Sequence, residues 1–124
     1  MRGVWEIFFP INIKHMAVIG VDLGGTKVAA AIFDHFGNIK AKEVRLLDGA
    51  QGDKVGKLVS EVILSLMEGN PRQHIKAIGV CVPGIVYSKK NTVWAPNIPG
   101  WDNYHLKRRI EAAIQNPKIK ISIE

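Results

Sequence analysis

Asp22-Leu23-Gly24-Gly25-Thr26-Lys27 sets a carboxylate, paired glycines, a hydroxyl and an amine between two apolar runs, Ala17 to Val21 and Val28 to Phe33. Apolar runs joined by Gly-Gly read as a β-hairpin, because glycine takes the positive φ values of a tight primed turn. The same glycines leave backbone N–H groups unshielded by any Cβ, so a phosphate can approach and be held by several donors. Thr26 adds a hydroxyl there, and Asp22, at the mouth of the first strand, is where a carboxylate meets a hydrated magnesium ion beside those phosphates. Asp22, Gly24, Gly25 and Thr26 are therefore the candidate phosphate grip. The plain alternative is a hairpin with a polar tip. Lys27, a strand-entry residue, is as readily solvated as phosphate-facing and is left out of the set.

Two further groups carry chemistry. Gly79-x-x-x-Pro83-Gly84 closes the apolar run Ile75 to Val82, and ligands of open α/β sheets collect beyond the carboxyl ends of such strands. Gly84 would let a sugar or phosphoryl group reach the backbone; otherwise it is a strand-to-turn break. In Ala95-Pro96-Asn97-Ile98-Pro99-Gly100-Trp101, two prolines stiffen a loop. Asn97 offers the donor and acceptor that a sugar hydroxyl needs. Trp101 reads equally as a sugar-facing ring or as an anchor packed under its own loop.

The elements that must position these groups follow from periodicity. Strands are expected over 16–22, 27–34 and 39–47, as a meander with turns at the glycine pair and at Asp34-His35-Phe36-Gly37-Asn38. After the loop 48–52, Asp53 is placed to cap a helix whose buried face is Val55, Leu58, Val59, Val62, Ile63, Leu66 and Met67, stopped by Gly69-Asn70-Pro71. Ile75 to Val82 is nearly all apolar, the pattern of a central strand covered on both faces; reached through a helix, it is expected to lie parallel to its neighbour. Ile85–Tyr87 and Thr92–Trp94 make a short hairpin. Asp102 or Asn103 can cap a second helix with Leu106, Ile110, Ala113 and Ile114 inward, and 118–124 alternates as a half-buried strand. The fold class expected is α/β, a mixed sheet in the order β-β-β-α-β-hairpin-α-β flanked by helices.

The 124 residues, 47% of them apolar, suffice for one domain, 16–124, with one modest core. Residues 1–15 are an extension of uncertain status: either a start placed upstream of Met16 or a native arm. They are too short and too broken for a membrane span or a signal peptide. A net charge of +6 raises the question of nucleic acid, but the basic residues are dispersed. Lys107-Arg108-Arg109, the longest run, reads as a solvated helix face. The lone Cys81, inside an apolar run and read as a small core residue, makes no internal disulfide and suits a reducing cytoplasm. His15, His35, His74 and His105 show no zinc-ligand spacing.

The three motifs, in this order and spacing over about residues 17–124, resemble the ROK family of repressors, open reading frames and sugar kinases. That family lies in the actin and hexokinase-like ATPase superfamily. The resemblance implies a ribonuclease H-like N-terminal lobe of a glucokinase-like kinase, using ATP and Mg²⁺ to phosphorylate a hexose such as glucose. It assigns phosphate to Asp22, Gly24, Gly25 and Thr26, with Asp22 reaching magnesium indirectly, and the sugar border to Gly84, Asn97, Gly100 and Trp101. In that family the last strand runs into Glu-Asn-Asp, whose aspartate is the general base. Glu124 matches the first position, so the base is expected beyond it, as are the second lobe, the adenosine site and the zinc motif, and this chain alone is expected to be inactive. The alternatives are the effector lobe of a sugar-sensing repressor, or a non-catalytic remnant or interaction module. The fifteen residues before Met16 cannot hold a helix-turn-helix, which favours the kinase. The partners expected are a hexose and ATP, without membrane or nucleic acid; homo-oligomerisation and the identity of the sugar stay open.

Overall fold

The computed structural model describes residues 13–124. Residues 1–12 of the expected extension lie outside the described residues, and Ile13–His15 forms one short 3₁₀ turn leading into the first strand. The strands are β1 (Met16–Leu23), β2 (Lys27–Asp34), β3 (Ile39–Leu46), β4 (His74–Cys81), β5 (Ile85–Tyr87), β6 (Thr92–Trp94) and β7 (Lys120–Ile123). The helices are α1 (Asp53–Gly69) and α2 (Leu106–Ile114). This is the expected order of elements.

The main sheet runs β3-β2-β1-β4-β7, and β5-β6 form a separate hairpin. β1 pairs antiparallel with β2 and parallel with β4, and β7 continues the parallel half. The crossover through α1 explains the parallel step, since a connection of that length returns the chain to the same end of the sheet.

Alternation along β1 turns Ala17, Ile19, Val21 and Leu23 into the core. β2 contributes Val28, Ala30 and Ile32 to the same side. Against them α1 packs Val55, Val59, Val62, Ile63 and Leu66, and α2 packs Leu106 and Ile110. Each such side chain contributes about 1.5–3 kcal/mol when fully buried, which fixes both helices on one face. β3 is joined to α1 by polar contacts as well. Arg45 donates to Glu43 at 2.8 Å and to Glu61 at 3.3 Å, and Ser65 Oγ donates to Glu43 at 2.7 Å.

Four expectations need correction. β4 is expected to be covered on both faces; among the described residues its burial instead alternates, with Ile75, Ile78 and Val80 inward and Gly79 and Cys81 exposed, because α1 and α2 both lie on one side. Cys81 is accordingly an exposed thiol, not a core residue. Asp53 does not cap α1: Gly52 takes the cap position at φ 55°, ψ −133°, with no side-chain cap bond, while Asp53 is the first helical residue. α2 likewise begins at Leu106 after His105, not at Asp102 or Asn103.

The β2–β3 turn is organised by Asp34. Its Oδ1 accepts from the amides of Phe36 at 2.9 Å and Asn38 at 2.8 Å. Burial pushes this carboxyl up, but the bonds from Asn38 and Phe36, with the charge of Lys40, outweigh it and hold the group below its ordinary 3.8. A carboxylate depressed in the folded state stabilises above its unfolded pKa and loses that contribution as pH falls through the folded one. Amide exchange at Phe36 and Asn38 should therefore accelerate on acidification below about pH 4, relative to amides in the centre of β1. An Asp34→Asn variant should lack that pH dependence.

Candidate functional site

Because β1, β4 and β7 are parallel, their carboxyl ends share one margin of the sheet. Asp22 stands exposed at the end of β1, and Gly24-Gly25-Thr26 forms the tip of the β1–β2 hairpin. The tip closes with Gly24 N–H donating to the Lys27 carbonyl at 2.9 Å. The Thr26 carbonyl accepts from Leu47 N–H at 2.8 Å, tying the tip to the end of β3. Neither Gly24 nor Gly25 lies in the positive-φ region, so the expected primed turn is not formed. A three-residue loop reverses the chain without that conformation. The glycines serve close approach instead: a Cβ on Gly25 would stand 3.4 Å from the Asn97 Cβ, and one on Gly24 the same distance from the Lys27 carbonyl oxygen.

Gly25 and Asn97 therefore meet, although more than seventy positions separate them. The Asn97 loop is rigid for a visible reason. Ala95 N–H donates to the Trp101 carbonyl at 2.9 Å, Ile98 N–H to Ala95 at 3.1 Å and Trp101 N–H to Ile98 at 3.1 Å. Gly100, at φ 90°, makes the left-handed corner that glycine permits. The loop is then clamped to the start of α1: Gly52 N–H donates to the Pro99 carbonyl at 2.8 Å, and Trp101 Nε1–H donates to the Gly52 carbonyl at 2.9 Å.

Trp101 is 1% exposed and stacks on Tyr104 with ring centroids 4.4 Å apart. Of the two readings of this ring, the structure takes the anchor. A ring so covered offers no face to a sugar, so Trp101 borders the site by holding the loop from beneath. Gly84 is also set by packing: a Cβ there would run into the Trp94 carbonyl oxygen and stand 2.8 Å from the Ala95 Cα. The turn after β4 and the Asn97 loop are in backbone contact, and only glycine allows it.

Tyr104, Asp53 and Arg109 complete the clamp, and sequence reasoning did not single them out as a group. Tyr104 Oη donates to Asp53 Oδ1 at 2.6 Å. Arg109 Nε lies 3.1 Å from the same oxygen, an ion pair off-line for a hydrogen bond. Burial, then the bond to Asp53 and its negative charge, push the Tyr104 hydroxyl above its ordinary 10, with Arg109 opposing. A raised tyrosine keeps its contribution below pH 10 and loses it as pH rises through the folded value, so the clamp is intact at neutral pH. The basic run 107–109 is correspondingly not all solvated face: Arg109 is engaged with Asp53 while Arg108 is exposed.

The Asp22 carboxylate and Thr26 are exposed at the tip, and among the described residues the backbone amides of Gly25 and Thr26 meet no backbone acceptor. Free amides, a hydroxyl and a carboxylate are the donor set a nucleotide phosphate with magnesium requires. Asp22, Gly24, Gly25, Thr26 and Asn97 thus come to one place, with Gly84, Gly100 and Trp101 as its support. Among the described residues no group of three or more His, Cys, Asp or Glu could hold a metal directly.

A mixed sheet led by an antiparallel hairpin, with a phosphate-type tip at its carboxyl margin, defines a lobe of the actin and hexokinase-like kind. The sequence comparison is narrower: residues 18–122 match the ROK family, and the chain belongs to that family. It is 35% identical over 103 residues to a glucokinase of Streptomyces coelicolor, an alignment covering 82% of this chain and 31% of the relative. The chain thus spans about a third of the length of the curated relatives it matches. Among solved structures it is similar to a ROK hexokinase from Thermus thermophilus, with TM-score 0.74 and 30% identity over 87% of this chain and 35% of that one. A ROK glucokinase from Streptomyces griseus, in complex with glucose and AMPPNP, gives TM-score 0.72 and 28% identity over 87% and 32%. A ROK transcriptional regulator shares the fold alone, with TM-score 0.75 and 17% identity over 90% and 28%.

The clamp makes an unusual forecast at Gly56, buried in α1. Alanine in place of a helix-interior glycine ordinarily gains about 1 kcal/mol. Here a Cβ would collide with the Tyr104 hydroxyl and stand 2.7 Å from its Cζ. Gly56→Ala should therefore destabilise the wild-type background in urea unfolding and stabilise a Tyr104→Ala background. The same sign in both backgrounds would show that Tyr104 does not press on α1.

Proposed function

We propose that the chain is the N-terminal lobe of a ROK sugar kinase acting in the cytoplasm, which moves the γ-phosphoryl group of ATP to a hydroxyl of a hexose such as glucose. The carrying observation is the contact of Gly25 with Asn97, which puts a phosphate-type turn against a sugar-type side chain. The similarity to glucokinases supports the same reading.

In this reading the free amides of Gly25 and Thr26 and the Thr26 hydroxyl hold phosphate oxygens, while Gly24, its own amide bonded to the Lys27 carbonyl, lets the phosphate approach the turn. Asp22 would hold a magnesium ion through its hydration shell, where the ion would supply charge neutralisation for the phosphoryl group. Asn97 pairs with a sugar hydroxyl as donor and acceptor. Gly84, Gly100 and Trp101 position Asn97 from behind.

No helix among the described residues is long and apolar enough to cross a membrane. The residues at hand form one wall of a cleft. Phosphoryl transfer needs the sugar hydroxyl in line and its proton taken by a positioned base, a contribution of about 10²–10⁴ in rate. Hexose-dependent ADP production by the 124-residue chain should therefore equal the no-protein control. Turnover of any hexose by the purified chain would place a base within it.

Amide NMR during titration tests the assignment directly. Mg·ATP should move the Gly24, Gly25 and Thr26 resonances, and glucose should move Asn97. Gly25→Val, whose branched side chain would press on Asn97, should abolish the nucleotide response, with a stability loss of roughly 1–3 kcal/mol from the crowding. No response to nucleotide in a folded wild-type chain would remove the phosphate role. A response to sugar alone would turn the reading to the effector lobe of a regulator.

A further inference from the structure

Tyr104 is held by its backbone, its ring and its hydroxyl at once. Its amide donates to the Val93 carbonyl at 3.0 Å and its carbonyl accepts from Val93 N–H at 2.9 Å, which pairs it antiparallel to β6. Its ring lies against Trp101, and its hydroxyl reaches Asp53 in the first turn of α1, where Arg109 of α2 also ends. Gly56 leaves the room that this hydroxyl occupies, since a Cβ there would collide with it. Glycine inside a helix is unfavourable relative to alanine, so the close approach of Tyr104 to α1 is kept against helix propensity. The hairpin tip has other supports. It is set by the pairing of β1 with β2 and by the bond from Leu47 N–H to the Thr26 carbonyl, and Tyr104 takes part in neither.

We propose that Tyr104, through its bond to Asp53, is a positioning residue for the sugar: it fixes where Asn97 stands and so sets hexose affinity, while phosphate binding at Gly25 and Thr26 is left to the sheet. The loop 95–101 closes on itself where Ala95 N–H meets the Trp101 carbonyl, and Ile98 and Trp101 are its buried anchors. Tyr104 joins the ring beneath that loop to α1 through its side chain and to β6 through its backbone, so Asn97 cannot shift as long as the hydroxyl stays on Asp53. A hydrogen bond to a carboxylate is of the stronger kind, and the ion pair with Arg109 restrains the same oxygen. A binding group that is ordered in advance loses less freedom when the ligand arrives, and that difference appears in affinity. Loosening the loop should therefore weaken the sugar and leave the nucleotide as it was.

Because Asn97 enters as a sugar ligand, this role of Tyr104 rests on the function proposed above, and two measurements on the 124-residue chain keep the two apart. Amide hydrogen exchange without ligand reads the order of the loop. In Tyr104→Phe the amides of Ala95, Ile98 and Trp101 should exchange about three- to tenfold faster, with those in the centre of β1 unchanged. Asp53→Ala should do the same, and Asp53→Asn, which keeps an acceptor for the hydroxyl, should restore most of the protection. Asp53 is exposed, so its variants carry the test should Tyr104→Phe fail to fold. Amide NMR titration then reads affinity. Glucose, followed at Asn97, should bind Tyr104→Phe and Asp53→Ala at least about threefold more weakly, and Mg·ATP, followed at Gly25 and Thr26, should bind them as it binds wild type. Equal acceleration in the loop and in β1 would make Tyr104 a general stability contact and overturn the proposal, as would a loosened loop with wild-type glucose affinity. Equal losses of glucose and nucleotide affinity would overturn the separate supports. A wild-type chain whose Asn97 ignores glucose overturns the sugar reading and the affinity claim with it, and exchange then decides the ordering of the loop alone.

Discussion

The double pairing of β1 is the constraint on which the rest depends. It is bonded antiparallel to β2 on one side and parallel to β4 on the other. With both edges committed, its register cannot slip without turning Ile19, Val21 and Leu23 out of the core and Gly20 and Asp22 into it. The parallel side also brings the ends of β1, β4 and β7 to one margin. The hairpin tip, the turn at Pro83-Gly84 and Glu124 are neighbours for that reason, and not because any of them attracts another.

A second tie brings in the Asn97 loop. The carbonyl and amide of Gly52 are both occupied by residues 99 and 101. A Cβ on Gly100 would stand 3.1 Å from the Gly52 Cα. At φ 55°, ψ −133° Gly52 occupies backbone space essentially reserved for glycine. The start of α1 and the Asn97 loop therefore move as one piece, and α1 is fixed by its valines, Ile63 and Leu66 to the core face of the sheet. The path from core to Asn97 is continuous packing.

Much of this was legible in the sequence because it rests on short-range pattern. The period-2 runs placed the strands, and the spacing from Val55 to Met67 placed α1 and its buried face. The motif residues stood out because glycine and proline have few reasons to be where they are. What stayed illegible depends on atoms distant along the chain. Asp53 has the right type and place for a helix cap, but Tyr104 and Arg109 hold its carboxylate instead. Gly24-Gly25 reads as a primed turn, whereas neither glycine takes positive φ and Gly25 lies beside Asn97, far along the chain. The nearly continuous apolar run of β4 suggested two covered faces, yet apolar content cannot say which face a helix will take.

Trp101 shows why a buried ring can preset a loop better than an exposed one. An indole facing solvent would add contact area, but its loop would have to be ordered on binding, and each rotamer-rich side chain or mobile segment immobilised then subtracts from affinity. Beneath the loop, the ring's stacking on Tyr104 and its bond to Gly52 do the ordering during folding, before any ligand arrives. Gly84 follows the same logic from the other side, since its missing Cβ lets the strand-end turn press on the Trp94 carbonyl. Asn97 is left exposed on a frame that is already set.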